Sequence, residues 1–151
     1  MLDDTDRRIL RQYQADPEAG ASVIAERAGV TASTMARRLE RMQSAGILRG
    51  VRGEVNWPAL GYAVEVSLRV TLDKTQPRAF DEFIAAARRV PEVIEIQTFL
   101  GQVDVRLSVI ARDMGHYQQV YRDQVLPLPH IADIEALMHV ARVKSDESLP
   151  L

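Results

Sequence analysis

Apolar residues recur along this chain at two different periods, and the change of period divides it. From Asp3 to Gln14, Ile9, Leu10 and Tyr13 fall on one helical face, with Asp3 placed as an N-cap. Asp16-Pro17-Glu18 interrupts that pattern. A second helix fits Ala21–Ala28 and stops at Gly29, the residue type that best tolerates the left-handed conformation at a helix end. Thr31 offers a hydroxyl cap for a third helix over Ala32–Ala45, closed by Gly46. Two helices meeting across a glycine-containing turn of about three residues predict a helix-turn-helix.

Advancing about 100° per residue, Leu39 and Met42 lie within about 40° of Met35 and define the buried stripe of the third helix. Ser33, Arg37 and Ser44 point the opposite way, Thr34 and Arg41 lie to one side of them, and Arg38 sits nearer the buried edge. In a DNA-binding helix-turn-helix the second helix enters the major groove with its N-terminal residues at the base edges. Thr31, Ser33 and Thr34 are therefore candidates near the bases. Arg37 suits a guanine or a phosphate, and Arg38 and Arg41 suit phosphates. The competing account is that these arginines only solubilise a three-helix bundle. The stretch Ile47–Asn56, with Gly50 and Gly53, predicts a wing or linker strand; there Arg49 and Arg52 fit DNA backbone contacts and surface solubility equally well.

Beyond Trp57-Pro58-Ala59-Leu60-Gly61 the period becomes two. Val64, Val66, Leu68, Val70 and Leu72 alternate with polar residues as in a half-buried strand. A helix follows over Pro77–Arg89. Strands at Glu92–Leu100 and Val103–Ala111 are expected to form a hairpin about Gly101-Gln102. A helix at Asp113–Val125 and a fourth strand at Ile131–Lys144 complete the order. This βαββαβ succession predicts a ferredoxin-like unit and an α+β chain. Residues 1–53 form the helical domain, 54–61 a hinge, and 62–151 the sheet domain. Helices cover only one face of such a sheet. Alternation assigns Glu65, Ser67, Arg69, Gln97, Asp104, Arg106, Ser108, Glu135 and Leu137 to the other, whose moderate polarity suits pairing of two sheets in a symmetric dimer. Arg106 has two readings there, a ligand carboxylate contact or, as the blander one, an ion pair with Glu95 or Glu135.

Charge sharpens the division. The chain carries net charge −2, yet residues 1–53 hold nine arginines against seven acids, and 54–151 hold ten basic residues against fourteen acids. Within Arg27–Arg52 six arginines face one acid, Glu40, a patch that attracts phosphates at short range even on an acidic protein. The 46% hydrophobic and 26% charged residues suit a folded globular chain. No apolar run of about 18 residues and no signal peptide is present, so a cytoplasmic, non-membrane protein is expected. Without cysteine there is no disulfide or thiolate, and His116, His130 and His139 are too widely spaced to suggest a metal. No cofactor is expected. An enzymatic alternative, a small ferredoxin-like enzyme with a helical accessory domain, lacks any nucleophile–base pair or phosphate loop, although His116 and His139 are available as acid–base groups. A third reading is a ligand-binding scaffold whose headpiece contacts protein.

Several segments in order resemble one family, the Lrp/AsnC or feast/famine regulators. They are Leu2–Leu10, Ala25–Ser33, Arg37-Arg38 with Gly46-Ile47-Leu48, Leu60-Gly61-Tyr62, Pro91-Glu92-Val93, and Val143-Lys144 with Ser148–Leu151. The resemblance spans nearly the whole chain. It implies a winged-type helix-turn-helix, a ferredoxin-like domain for regulation of amino-acid metabolism, sheet-to-sheet homodimers that assemble further into octamers on the nucleoid, and an amino-acid effector. It also implies that Gly101, Gln102, Val103 and Asp104 border the effector site. Gln102 and Val103 depart from the acid and the aromatic residue usual in that loop. Ala32 stands where proline is frequent, and Gly20 lies near the start of the second helix.

Overall fold

The computed structural model describes residues 2–145 and 148–151; Met1, Asp146 and Glu147, which fall inside the sequence-drawn domains, lie outside the described residues. Two compact units are present, one formed by residues 1–54 together with 144–151, the other by 55–143. Among the described residues, no helix is long and apolar enough to cross a membrane.

In the first unit, α1 (Asp4–Ala15), α2 (Ala21–Arg27) and α3 (Ala32–Ser44) enclose Ile9, Leu10, Ile24, Ala25, Ala28, Met35 and Met42. Asp3 caps α1 in a reciprocal box: its side chain accepts from the Asp6 N–H, and the Asp6 side chain accepts from the Asp3 N–H. Gly20 caps α2 with no side-chain bond. Gly29 and Gly46 end α2 and α3 at φ of 68° and 69°, left-handed values that favour glycine. The C-terminal segment returns to this unit. Arg11 Nε donates to the Leu151 carbonyl at 2.7 Å, and the Gln14 amide both donates to the Leu149 carbonyl (2.7 Å) and accepts from its N–H (3.1 Å). Leu151 packs against the headpiece core.

The expected strand at 47–56 does not form. Residues 48–56 are irregular and exposed or nearly so. Gly50 turns away from an extended path at φ 121°, and among the described residues of this unit no neighbouring strand offers a ladder.

In the second unit a 3-10 turn at Pro58–Leu60 precedes β1 (Val64–Leu72), α4 (Ala79–Ala87), β2 (Val93–Thr98), β3 (Val105–Ala111), α5 (Met114–Val120) and β4 (Ile131–Met138). The strands form one antiparallel sheet in the order β2-β3-β1-β4. Val66, Leu68 and Val70 of β1 and Leu107 and Val109 of β3 are buried with Phe83 of α4 and Val120 of α5. That is the predicted α+β unit with helices on one face. Element ends differ from expectation, α4 being shorter by two residues at each end, and three differences change the local structure. The helix expected over Asp113–Val125 switches to a π turn at Tyr121–Val125. β4 ends at Met138, where β1 pairs its Val66; residues 139–144 lie beyond that ladder. The β2–β3 connection runs 99–104, wider than a tight turn on Gly101-Gln102, and is closed by a Phe99 N–H to Asp104 carbonyl bond of 2.9 Å.

Candidate nucleic-acid interface and effector loop

α3 is built so that one side is consumed by packing and the other left open. Met35 and Met42 are buried, whereas Ser33, Ala36, Arg37, Glu40, Gln43 and Ser44 are exposed. At its start the Thr31 hydroxyl accepts from the Thr34 N–H (3.2 Å) and lies 2.9 Å from Thr34 Oγ1 and 3.1 Å from Ser33 Oγ. Three hydroxyls thus cluster at the N-terminal turn, on the end that carries positive helix-dipole potential. No ion pair or hydrogen bond engages the exposed Arg37 side chain among the described residues, and Arg37 follows Ser33 and Thr34 by four and three positions, one turn along the same side of the helix.

The two other arginines of α3 are placed differently. Arg38 Nη1 lies 2.6 Å from Asp3 Oδ2 and 2.9 Å from Asp6 Oδ1, and Arg41 Nη2 lies 2.5 Å from Asp6 Oδ2. The Arg38 side chain is 20% exposed and that of Arg41 56%, while Asp6 is fully buried. Arg38 and the Asp6 N–H hold the Asp3 carboxyl down at about 2. Burial pushes the Asp6 carboxyl up, but Arg38, the Asp3 N–H and Arg41 outweigh it, and the net direction is downward. The two carboxylates push the Arg38 guanidinium up. Arg49 and Arg52 are exposed on the irregular segment, without an ion pair among the described residues.

Of the residues expected at DNA, the structure therefore gathers Thr31, Ser33, Thr34 and Arg37 at one end of the open side of α3. It turns Arg38 and Arg41 toward α1. Sequence reading missed Asp6, although a signal was available: Asp6, Ile9, Leu10 and Tyr13 follow the spacing i, i+3, i+4, i+7, which sets an acid among core positions.

In the second unit, Gly101 and Gln102 are exposed and Val103 is half-buried. Gly101 does not adopt a positive φ, and a Cβ there would meet nothing within 4 Å, so the hairpin does not depend on glycine backbone angles. The Gln102 carbonyl accepts from the Thr71 hydroxyl at 3.2 Å. Asp104, expected on the solvated sheet face, is buried instead, because it lies just before β3 begins and strict alternation does not extend to it. Its Oδ2 accepts from the Leu72 N–H (2.9 Å), and Lys74 Nζ lies 2.9 Å from its Oδ1. Burial raises its pKa, yet these partners bring it below the ordinary value. Its backbone N–H donates to the Val70 carbonyl at 3.0 Å. The loop is thus pinned to the end of β1.

On the sheet face without helices, Ser67 pairs with Ser108 and Arg69 with Arg106 across β1 and β3. Arg106 lies 2.9 Å from Glu95, and Arg69 lies 3.5 Å from Glu135, so Arg106 has the ion-pair role weighed for it. Glu65 meets Arg142 (2.9 Å) and His139 (3.5 Å). His116 stands 3.6 Å from Glu92, and His130 stands 2.6 Å from Glu82. The three histidines sit with three different carboxylates and do not converge on one site.

Comparison with known proteins identifies both units. Residues 2–49 match the winged helix-turn-helix DNA-binding family model, and residues 65–149 match that of the Lrp/AsnC ligand binding domain. The proline dehydrogenase transcriptional activator of Rhodobacter capsulatus is 28% identical over 148 residues, covering 98% of this chain and 96% of that protein. The leucine-responsive regulatory protein of Salmonella typhimurium is 26% identical over 148 residues, covering 98% of this chain and 90% of its own length. Among solved structures, a Neisseria meningitidis transcriptional regulator in complex with L-Met superposes with a TM-score of 0.90 at 25% identity, covering 99% of this chain and 97% of that one. Escherichia coli AsnC shares the fold with a TM-score of 0.88 at 24% identity, over 97% of each chain. With a family model covering more than half its length and a DNA-binding model over most of the remainder, this chain belongs to the Lrp/AsnC family of transcriptional regulators.

Proposed function

We propose that the chain reads duplex DNA with the N-terminal half of α3, and that its sheet domain couples this reading to an amino acid or a related small metabolite. The observation that carries the DNA assignment is the exposed Arg37, without a partner among the described residues, one helical turn after the clustered hydroxyls of Thr31, Ser33 and Thr34 on a helix whose other side buries Met35 and Met42. In groove-bound helices this geometry puts short polar side chains and an arginine fork within reach of base edges. Arg49 and Arg52 extend the contact along the phosphates. Arg38 and Arg41, expected on phosphates from the sequence, are engaged by Asp3 and Asp6.

The effector assignment draws on the ligand-binding family model and on the L-Met complex of the Neisseria relative. Its proposed border is Gly101, Gln102, Val103 and Asp104. The sheet face bearing Ser67, Arg69, Arg106 and Ser108 is the proposed homodimer surface, with dimers joining into octamers. In this scheme residues 1–53 bind DNA, 54–61 serve as the hinge, and 62–151 sense and assemble. The protein works on the nucleoid, in the cytoplasm. Effector and DNA then alter each other's affinity by one common factor.

Mobility-shift titration tests the DNA assignment. Arg37→Ala is expected to weaken binding to a duplex selected from random sequence by about tenfold or more, with the oligomer unchanged. Unchanged affinity in that variant removes the assignment. A thermal scan against the amino acids tests the effector, because a ligand of the folded state raises the unfolding midpoint.

A further inference from the structure

We propose that Asp6 is a positioning residue for DNA recognition: its buried carboxylate, bridged to Arg38 and Arg41, sets the rotation of α3 and withholds those two arginines from the phosphates, leaving Arg37 as the guanidinium that α3 presents. This rests on the DNA reading above.

Asp6 lies on the inward side of α1, and both its oxygens are used. Oδ1 receives Arg38 at 2.9 Å; Oδ2 receives Arg41 at 2.5 Å and the Asp3 N–H at 3.1 Å. Arg38 Nη1 is also 2.8 and 2.6 Å from the two oxygens of Asp3. Its Nε is buried and has no hydrogen-bond partner among the described residues, as expected of a side chain directed into the headpiece. For Arg38 to reach a phosphate, it would have to leave two carboxylates, one of them shielded from water, where an unbalanced charge is strongly disfavoured.

Rotation is fixed because Arg38 and Arg41 are three positions apart and share one stripe of α3. Holding that stripe against α1 at two points nearly one turn apart determines the azimuth of every other side chain on the helix. Arg37, about 100° from Arg38, is directed outward as a result. The acidic partner thus contributes to DNA reading without touching DNA.

The experiment measures how binding of the full-length protein to a mixed-sequence duplex changes with salt. A lost phosphate contact reduces the slope of log K against log salt by about 0.9. Arg38→Ala is expected to leave the slope at the wild-type value. A drop of about 0.9 overturns the inference. If Arg38→Ala does not fold, Arg38→Gln, which leaves Asp6 in place to hold Arg41, gives the same readout, with the same two outcomes. Asp6→Asn, at a temperature where circular dichroism shows it fully folded, is expected to lose at least threefold in discrimination between a selected duplex and the mixed one. Unchanged discrimination overturns the positioning role, since mere structural support would leave a fully folded protein equally selective. Absence of salt-dependent binding by the wild-type chain is a different failure: it removes the DNA reading and this inference with it.

Discussion

A carboxylate with no exposure to water has to be answered by cations, and Asp6 takes two of them from the helix that carries the proposed reading side chains. This makes the headpiece sensitive to acid. Asp3 and Asp6 both titrate below their ordinary values when folded, so their contribution is fully present above the unfolded carboxylate range, near pH 4. It is lost as pH falls from there toward about 2, through the folded value of Asp3. Urea unfolding at a series of pH values should show headpiece stability declining across that window, with a flatter profile in Asp3→Asn. Replacing Asp6 by Ala leaves Arg38 with Asp3 alone and Arg41 with no carboxylate, and should lower headpiece stability in the same assay. At this scale the sequence was partly legible. Asp3 was recognisable as a cap and Arg38 as lying near the buried edge, because caps and azimuths depend on local spacing. The pairing of Asp6 with Arg38 joins residues 32 positions apart, and single-helix geometry does not contain it.

Elements were the most legible scale. Gly29 and Gly46 do occupy left-handed turns, and the strand period located β1 to the residue. Glycine positions now separate into two kinds. Gly46→Ala forces a Cβ into φ 69° and should cost about 1 kcal/mol in thermal or urea unfolding. Gly101→Ala meets open space at an ordinary φ and should stay within about 0.5 kcal/mol of wild type. Misplacements arose where a rule of period was carried past the element that enforces it. Asp104 was assigned by alternation although β3 begins at Val105, and the continuation of β4 was drawn beyond its ladder with β1. A strand at 47–56 had extended residues in its favour but no partner backbone. Hydrogen-bonded pairing, a tertiary property, decides such segments.

At the scale of the molecule, each unit has its own buried cluster, one around Ile9, Ile24, Met35 and Met42, the other around Leu68, Phe83, Leu107 and Val120. Phe83→Ala opens a cavity in the second cluster and should cost that unit about 3–5 kcal/mol, read by calorimetry as a downward shift of one unfolding transition. The ion pairs Arg69–Glu135 and Arg106–Glu95 across the helix-free face mean that a dimer formed there shields paired charges, which favours register over raw affinity. Nothing in the composition of 144–151 signals its return to the first unit. The amide of Gln14 and the guanidinium of Arg11, which receive it, are ordinary surface residues in any reading of α1 alone.

That return has a bearing on biosynthesis. α1, α2 and α3 leave the ribosome first, yet the segment that Arg11 and Gln14 grip is translated only after the entire sheet has been made. The helical unit therefore acquires these contacts only after its neighbour in sequence is complete, so a nascent chain stalled within β4 carries a headpiece that lacks them.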